Sequence, residues 1–153
     1  MKKVQYINSP VGKIGIIEEE KNIVRVGILD NEYNQEEMKE EETEILKEAK
    51  KQLTEYFLKK RTKFDLPLNP KGTDFMKKVW KALMEIPYGE VRTYKEIAIK
   101  IGSPKSSRAV GMANHKNPIP IIIPCHRVIG SNGKLVGYAL GLDIKDYLLN
   151  LEK

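Results

Sequence analysis

The sequence has few of the residues that usually build disulfides and metal sites. Among 153 residues there is one cysteine, Cys125, and there are two histidines, His115 and His126. A single cysteine excludes an intramolecular disulfide and is typical of a reducing compartment, so we expect a cytoplasmic location. One cysteine and two histidines are too few for a structural zinc site of the usual ligands. We therefore expect no metal and no other cofactor.

Long hydrophobic runs are also absent. No apolar segment follows the charged start Met1-Lys2-Lys3, so the sequence predicts no signal peptide. No stretch approaches the ~20 apolar residues that a transmembrane helix needs, and we expect no membrane association. The length is sufficient for one domain, or for two small ones, with a buried core.

The net charge of +6 is distributed unevenly. Residues 1–71 carry 14 basic and 14 acidic side chains, whereas residues 72–153 carry 13 basic and 7 acidic ones, so the whole excess lies in the second half. A basic half beside a neutral half suggests a polyanionic partner. Charge that only maintains solubility would look the same, and charge alone does not separate the two explanations.

The first half reads as a small antiparallel sheet with one packed helix. Short runs rich in β-branched residues predict strands at residues 4–7, 14–17 and 23–29. Residues 30–42 are polar and acidic and predict an exposed loop, whereas the four-residue spacing of apolar side chains from 43 to 60 predicts an amphipathic helix. Residues 64–68 alternate like an edge strand. The turn-rich segment that follows places a domain boundary between residues 70 and 71.

The second half begins as a helical domain. Thr73 predicts an N-cap for a helix that ends at Pro87, with Trp80 on its buried face. Thr93 and Glu96 have the spacing of a capping box, which starts a second, short helix.

The tight junction after that short helix predicts a helix-turn-helix. Gly102 suits a left-handed C-terminal position, and Ser103-Pro104 suits the cap and first position of a new helix through residue 114. Two short helices joined in this way form a unit that places its second helix in a DNA groove. The second helix is rich in small residues, which lets its backbone approach either a neighbouring helix or the floor of a groove. These patterns predict an α+β chain with its helices concentrated in the second half.

The single cysteine lies in the segment Pro124-Cys125-His126-Arg127, between an apolar run and a glycine-rich turn. A thiol next to an imidazole can become a nucleophile, because a nearby base or positive charge raises its thiolate population. A buried, inert cysteine is the alternative. If residues 124–127 are extended, the two side chains point to opposite sides, so either a bend or a bridging water must connect them. We favour the water.

Five separated motifs together resemble the O6-alkylguanine-DNA alkyltransferase family, also called methylated-DNA–protein-cysteine methyltransferases. The motifs are Ile123-Pro124-Cys125-His126-Arg127-Val128, Arg108-Ala109-Val110-Gly111, Asn117-Pro118-Ile119-Pro120, Gly137-Tyr138-Ala139, and Leu148-Leu149 with Glu152. The resemblance covers residues 73–153 closely and residues 1–70 loosely. It implies a ribonuclease-H-like N-terminal domain and a winged-helix-like C-terminal domain that carries the active-site cysteine.

The resemblance also implies a role for each catalytic residue. Cys125 is the alkyl acceptor, His126 is the base that deprotonates it, and Glu152 holds the imidazole in its tautomer. Tyr94 donates a hydrogen bond to the departing guanine, and Asn117 fixes the turn before the active-site strand. The family acts once per molecule on double-stranded DNA that contains O6-alkylguanine, as a monomer.

The remaining predicted site residues lie around the DNA and the base pocket. Arg108 is expected to occupy the place of an extruded nucleotide. Further DNA contacts are expected from Ser103, Lys95, Ala109, Gly111, Asn114 and Ser131. Tyr138, Ala139 and Leu140 are expected to wall the base pocket. Leu140 stands where many relatives carry glycine or a bulky aromatic residue, which leaves the size of the accepted alkyl group open. Ala139 replaces a serine found in some relatives and removes one possible hydrogen bond to the guanine oxygen.

Other functions remain to be tested against this one. A non-catalytic relative would bind alkylated DNA without transfer, although such relatives replace the acceptor cysteine that is present here. A plain helix-turn-helix DNA-binding protein would carry an inert Cys125 but would leave His126, Asn117 and Tyr94 unexplained. A cysteine hydrolase is weaker, because no acyl-substrate pocket can be argued. The sequence leaves open whether alkylthymine is also a substrate and whether binding along DNA is cooperative.

Overall fold

The structure is a computed structural model. It describes residues 1–28, 38–133, 138 and 140–153. The chain divides into two compact units, residues 1–70 and residues 71–153.

The first unit is built on a four-stranded sheet. Its strands are β1 (Lys2–Ser9), β2 (Gly12–Glu19), β3 (Asn22–Ile28) and β4 (Met38–Glu40). They lie in the order β3-β2-β1-β4, with antiparallel pairing among the first three strands and parallel pairing of β4 with β1. The three predicted strands are confirmed. The prediction of a loop across residues 30–42 is wrong at 38–40, where short backbone pairing overrides the polar sequence, and residues 29–37 lie outside the described part.

One amphipathic helix covers the sheet. Helix α1 (Glu44–Phe57) begins after Thr43, whose hydroxyl accepts a hydrogen bond from the Leu46 amide at 3.1 Å. Its apolar stripe is fully buried, at Leu46, Ala49, Leu53 and Tyr56. The helix predicted over residues 43–60 is therefore confirmed, apart from its last residues.

The edge strand predicted at residues 64–68 does not form. This segment pairs with the sheet through a single bridge between Ile23 and Leu68. In that bridge the Ile23 amide donates a hydrogen bond to the Pro67 carbonyl at 2.8 Å. Pro67 has no N–H to extend a ladder. The segment is instead fixed by the side chain of Gln52, which donates to the Asp65 carbonyl at 3.0 Å and accepts from the Asp65 amide at 2.9 Å.

The second unit is mainly helical. Its helices are α2 (Asp74–Leu83), α3 (Tyr94–Lys100), α4 (Ser107–His115) and α5 (Leu142–Leu151). Helices α2, α3 and α4 pack against one another, and Trp80 is confirmed as a core residue whose indole N–H donates to the Ala113 carbonyl at 2.9 Å. Thr73 caps α2 as predicted, but α2 ends at Leu83, four residues before Pro87.

A minimal sheet and a 3₁₀ turn complete the second unit. The two-residue strands β5 (Arg92–Thr93) and β6 (Val128–Ile129) pair in parallel. The 3₁₀ turn spans Cys125–Arg127, immediately before β6, and α5 packs against it.

The helix-turn-helix junction follows the sequence except at the start of α4. The capping box of Thr93 and Glu96 is complete, and Gly102 has the left-handed φ of 80°. Helix α4 begins at Ser107. Residues 103–106 form a turn instead, in which the Ser106 amide donates a hydrogen bond to the Ser103 carbonyl at 2.9 Å. The prediction that Ser103-Pro104 starts the helix is therefore wrong. The Ser103 hydroxyl is hydrogen-bonded to the Ser106 hydroxyl within that turn.

Within the described residues, no helix is long and apolar enough to cross a membrane. In the same part of the chain, no cluster of three or more histidine, cysteine, aspartate or glutamate side chains could hold a metal ion.

Candidate active site

The apolar segment that leads to Cys125 is a tight turn. The Ile123 amide donates to the Ile119 carbonyl at 2.9 Å, and Ile121 has a φ of 76°. A β-branched residue in this left-handed region costs roughly 1–3 kcal/mol, so surrounding contacts must hold it there. The expectation of an active-site strand is wrong, because the segment turns back on itself.

Asn117 supplies contacts that hold this turn. Its Nδ2 donates to the Ile123 carbonyl at 2.9 Å, and its Oδ1 accepts from the Ile119 amide at 2.9 Å. The side chain is only 4 % exposed, and its amide lowers the pKa of the Cys125 thiol. Asn117 therefore connects the end of α4 to the thiol and fixes the path between them.

Cys125 is completely buried at the start of the 3₁₀ turn. Burial raises the pKa of the Cys125 thiol to about 12, opposed by the hydrogen bond from Asn117, by the charge of Lys145 and by its own backbone. The sequence predicted a thiolate population increased by its neighbours. In this structure the thiol is instead protonated at neutral pH, so a base would have to take its proton before the sulfur could act as a nucleophile.

His126 lies beside the thiol in the chain and is also completely buried. Its Nε2 lies 2.6 Å from Oε2 of Glu152. Burial lowers the pKa of His126, against the opposing effect of Glu152, so the imidazole is neutral at pH 7. Because a carboxylate can only accept, Nε2 carries the hydrogen and Nδ1 has the lone pair. Nδ1 is buried and has no hydrogen-bond partner among the described residues.

The backbone at Cys125 and His126 is bent into the 3₁₀ turn. Residues 125–127 are not extended, so the rule that adjacent side chains point to opposite sides does not apply to Cys125 and His126. A bend is present, and the bridging water remains a prediction.

Lys145 is a site residue that the sequence analysis missed. It is fully buried, and its Nζ lies 6.0 Å from the centre of the Tyr94 ring. Burial lowers the pKa of Lys145 to about 8, opposed by the charge of Cys125. Lys145 precedes Leu148 by three residues and Glu152 by seven, and all three are buried on one face of the helix. This helical spacing could have placed Lys145 beside Glu152, but lysines are rarely buried, and the sequence pattern was not read in that way.

Two tyrosines lie near Cys125 and His126. Tyr94 is half-buried, and burial followed by the charge of Cys125 raises the pKa of its hydroxyl, which keeps it protonated as a donor. Tyr138 is 4 % exposed, and its ring meets that of His126 edge-on at a centroid distance of 6.4 Å. Leu140 is half-buried nearby in sequence, and Ala139 lies outside the described residues.

An open cavity of about 580 Å³ lies next to α4. It is lined by Tyr94, Lys95, Ser107, Arg108, Gly111, Gly130 and Ser131. Arg108, Ala109, Lys95 and Ser131 are exposed. The cavity is therefore lined by five of the site residues predicted from the sequence: Tyr94, Lys95, Arg108, Gly111 and Ser131.

Asn114 and Ser103, both expected to contact DNA, are less exposed than most of the other residues with that expected role. Asn114 is fully buried, and its Nδ2 donates to the Cys125 carbonyl at 3.3 Å. It faces the active-site turn because it lies on the inner side of α4 with Val110 and Ala113. Ser103 is half-buried, and its hydroxyl is engaged by Ser106. Asn114 thus supports the thiol from within and offers no surface to DNA.

Comparison with known proteins connects this geometry to a family. The family model described as "6-O-methylguanine DNA methyltransferase, DNA binding domain" matches residues 74–153, and its "ribonuclease-like domain" matches residues 2–70. A methylated-DNA–protein-cysteine methyltransferase of Methanosarcina barkeri is 56 % identical over 149 residues, covering 96 % of this chain and 94 % of the relative. The constitutive enzyme of Bacillus subtilis is 48 % identical over 151 residues, covering 95 % and 92 %.

A solved structure agrees with both halves of the fold. The crystal structure of Mycobacterium tuberculosis OGT in complex with DNA has a TM-score of 0.90 and 44 % identity, and the match covers 99 % of this chain and 92 % of that one. The predicted α+β architecture is confirmed, with a ribonuclease-like N-terminal domain and a helical DNA-binding domain. The chain belongs to the 6-O-methylguanine DNA methyltransferase family.

Proposed function

We propose that this chain repairs alkylated DNA by moving the alkyl group from O6 of guanine to the sulfur of its own Cys125. The observation that carries the proposal is a buried thiol that directly precedes a neutral imidazole, itself bonded to a buried carboxylate, in a unit with an open cavity beside α4. Family membership supports the reaction, and the relative's complex supports DNA as the partner.

The transfer is a displacement at carbon. Nδ1 of His126 accepts the thiol proton through a bridging water, and the Cys125 sulfur attacks the alkyl carbon as the carbon–O6 bond breaks. The electron pair of that bond leaves with the guanine, and the protonated Tyr94 hydroxyl donates a hydrogen bond to it. Asn117 and Lys145 stabilise the developing thiolate, since a hydrogen bond and a positive charge both oppose the effect of burial.

The substrate base must leave the double helix to reach this sulfur. Extrusion of a base costs a few kcal/mol. Arg108 is a long cationic side chain exposed beside the cavity, and it offsets part of that cost by occupying the space that the nucleotide leaves. Lys95 and Ser131 on the rim contact the DNA backbone, and Tyr138 walls the base pocket.

The product is a stable thioether, so each chain acts once. Water has no activated carbon to attack in a thioether, and the sequence contains no second thiol. The acceptor, the base and its carboxylate all come from one chain, so a monomer is sufficient. A working free thiol fits a reducing compartment and thus the cytoplasm.

A stoichiometric titration tests this function. A fixed amount of duplex containing labelled O6-methylguanine is mixed with increasing amounts of protein, and both protein-bound and released label are measured. We expect restored guanine to equal the protein added, with all label on protein. Label that appears in solution with repeated turnover would indicate a hydrolase, and tight binding without transfer would indicate a non-catalytic DNA-binding protein.

Replacing Arg108 with alanine should slow transfer from duplex DNA by roughly tenfold or more. Without the arginine, no side chain fills the space that the extruded nucleotide leaves, so a smaller fraction of the bound DNA has its base in the pocket. Transfer from the free base O6-methylguanine should be almost unchanged. Single-turnover rates on the two substrates give the comparison, with Lys105→Ala as a control for loss of an exposed charge before α4. An equal loss on both substrates would show that Arg108 is only structural.

Replacing Lys145 with methionine should raise the pKa of the Cys125 thiol further and slow transfer at neutral pH by about tenfold for each pKa unit. The chain should remain folded, because an apolar side chain of similar length removes the cost of burying a charge. Iodoacetamide modification of Cys125 across the pH range measures the thiol pKa. A pH dependence identical to that of the unaltered protein would contradict this role.

A further inference from the structure

Arg127 follows His126 in the chain and binds the same carboxylate. Its Nε lies 2.8 Å from Oε1 of Glu152, and its Nη2 lies 3.1 Å from Oε2. Its Nη1 donates to the Ile86 carbonyl at 2.7 Å, and the residue is only 6 % exposed. Three fixed bonds hold the guanidinium in one orientation, and two of them fix Glu152 in turn.

Several ionisable groups face the imidazole from the elements packed around it. They are Glu152, Lys145, Arg127 and Tyr138, and Cys125 precedes His126 in the 3₁₀ turn. The ring centre of Tyr88 lies 5.7 Å from the Arg127 guanidinium, and burial followed by the charge of Glu152 raises the pKa of the Tyr88 hydroxyl. The positive charges of Arg127 and Lys145 both lower the pKa of His126, whereas Glu152 raises it.

The Arg127 guanidinium offsets the effect that the negative charge of Glu152 has on the pKa of His126. Oε2 of Glu152 is shared between His126 Nε2 and Arg127 Nη2, so the carboxylate is already neutralised by a fixed cation. Without that cation, a buried carboxylate and a buried imidazole would face each other alone. The proton would then be retained on the imidazole as a counter-charge, because an unpaired buried carboxylate is costly. A protonated imidazole has no lone pair on Nδ1 and cannot act as a base.

We propose that Arg127 is a positioning residue that acts through Glu152 to keep His126 neutral, with its Nδ1 lone pair available for the Cys125 proton. Arg127 touches neither the thiol nor the substrate in this role. The inference depends on the proposed function for its consequence in alkyl transfer, but the state of His126 can be measured without DNA. Arg127 therefore does more than join the C-terminal end of α5 to the loop at Ile86.

The test compares Arg127→Met and Arg127→Lys with the unaltered protein. Single-turnover transfer and iodoacetamide modification of Cys125 are measured across about pH 5 to 9, where histidine titrates. In Arg127→Met the acid side of both profiles should move up by about one pH unit, which is about a tenfold loss on that side. Arg127→Lys should return the profile most of the way, because the charge is kept. Arg92→Met is the matched control, since Arg92 pairs with Glu90 in the same unit at 3.1 Å.

A spectroscopic measurement keeps the proposal open to refutation if Arg127→Met does not fold. The ¹⁵N shifts of His126 should show a neutral ring with hydrogen on Nε2 at pH 7 in the unaltered protein and in Arg127→Lys, and a higher titration midpoint in Arg127→Gln, which keeps a donor to Glu152 but removes the charge. An unchanged midpoint, or pH profiles that stay in place while the free energy of unfolding falls, would mean that Arg127 is only structural. Failure of the unaltered protein to transfer alkyl groups would instead contradict the proposed function and leave the His126 measurement valid.

Discussion

Replacing Cys125 with serine should abolish alkyl transfer while leaving binding to DNA intact. The hydroxyl is nearly the same size but is a much weaker nucleophile at carbon, and its proton is far harder to remove. Cys125 is completely buried and lies at the end of a turn that is held by Asn117. The turn should therefore persist, and the free energy of unfolding should change by about 1 kcal/mol.

Cys125→Ala provides the matched control, since it removes the nucleophile without adding a hydroxyl. Both variants should bind duplex DNA containing O6-methylguanine with the affinity of the unaltered protein, measured by fluorescence anisotropy. Transfer of label to either variant would show that another side chain is the acceptor. Loss of binding in both would show that the thiol region is needed for the fold of the DNA-binding unit.

Replacing His126 with glutamine should slow single-turnover transfer by roughly 10²–10⁴-fold, the usual contribution of a general base. The thiol has its pKa raised to about 12 by burial, so very little thiolate exists at pH 7 without a base. His126 is neutral there because burial lowers its pKa. Glutamine can still hydrogen-bond to Glu152 but cannot accept a proton.

The second histidine supplies the control for this change. His115 is exposed at the end of α4, and His115→Gln should leave the transfer rate within about twofold, as expected for a surface substitution. Raising the pH should restore part of the activity of His126→Gln, because hydroxide then removes the thiol proton. Similar rates in the two variants at neutral pH would exclude His126 as the base.

Local signals predicted most of the fold. The β-branched runs of the first half gave three of four strands, and the spacing around Leu46 and Leu53 gave α1. The capping box at Thr93 and the glycine at 102 gave the helix-turn-helix junction. Such features depend on neighbours within a few residues, and a sequence displays them directly.

Features that depend on distant contacts were missed. Strand β4 forms because β1 offers it a backbone edge, although its own residues are polar. The turn around Ile121 exists because Asn117 binds it at both ends, against the preference of an isoleucine. The segment at Pro67 is attached by Gln52, and no pattern within either segment indicates the connection.

The candidate site shows the same division. Cys125, His126 and Glu152 were predicted through the family resemblance, and the structure places the last two 2.6 Å apart. Asn114 was assigned to DNA because it lies in the second helix of the helix-turn-helix, but the helix turns it inward. Lys145 was missed because its charge predicts exposure, whereas the structure buries it close enough to the thiol for each to affect the other's pKa.

Peptide mass spectrometry can identify the atom that accepts the alkyl group. The unaltered protein is incubated with excess duplex containing O6-methylguanine, digested, and searched for added methyl groups. We expect a single methyl per chain, on the sulfur of Cys125. A methyl group found on Lys145 or any other side chain, or a fully repaired duplex with an unmodified Cys125, would contradict it.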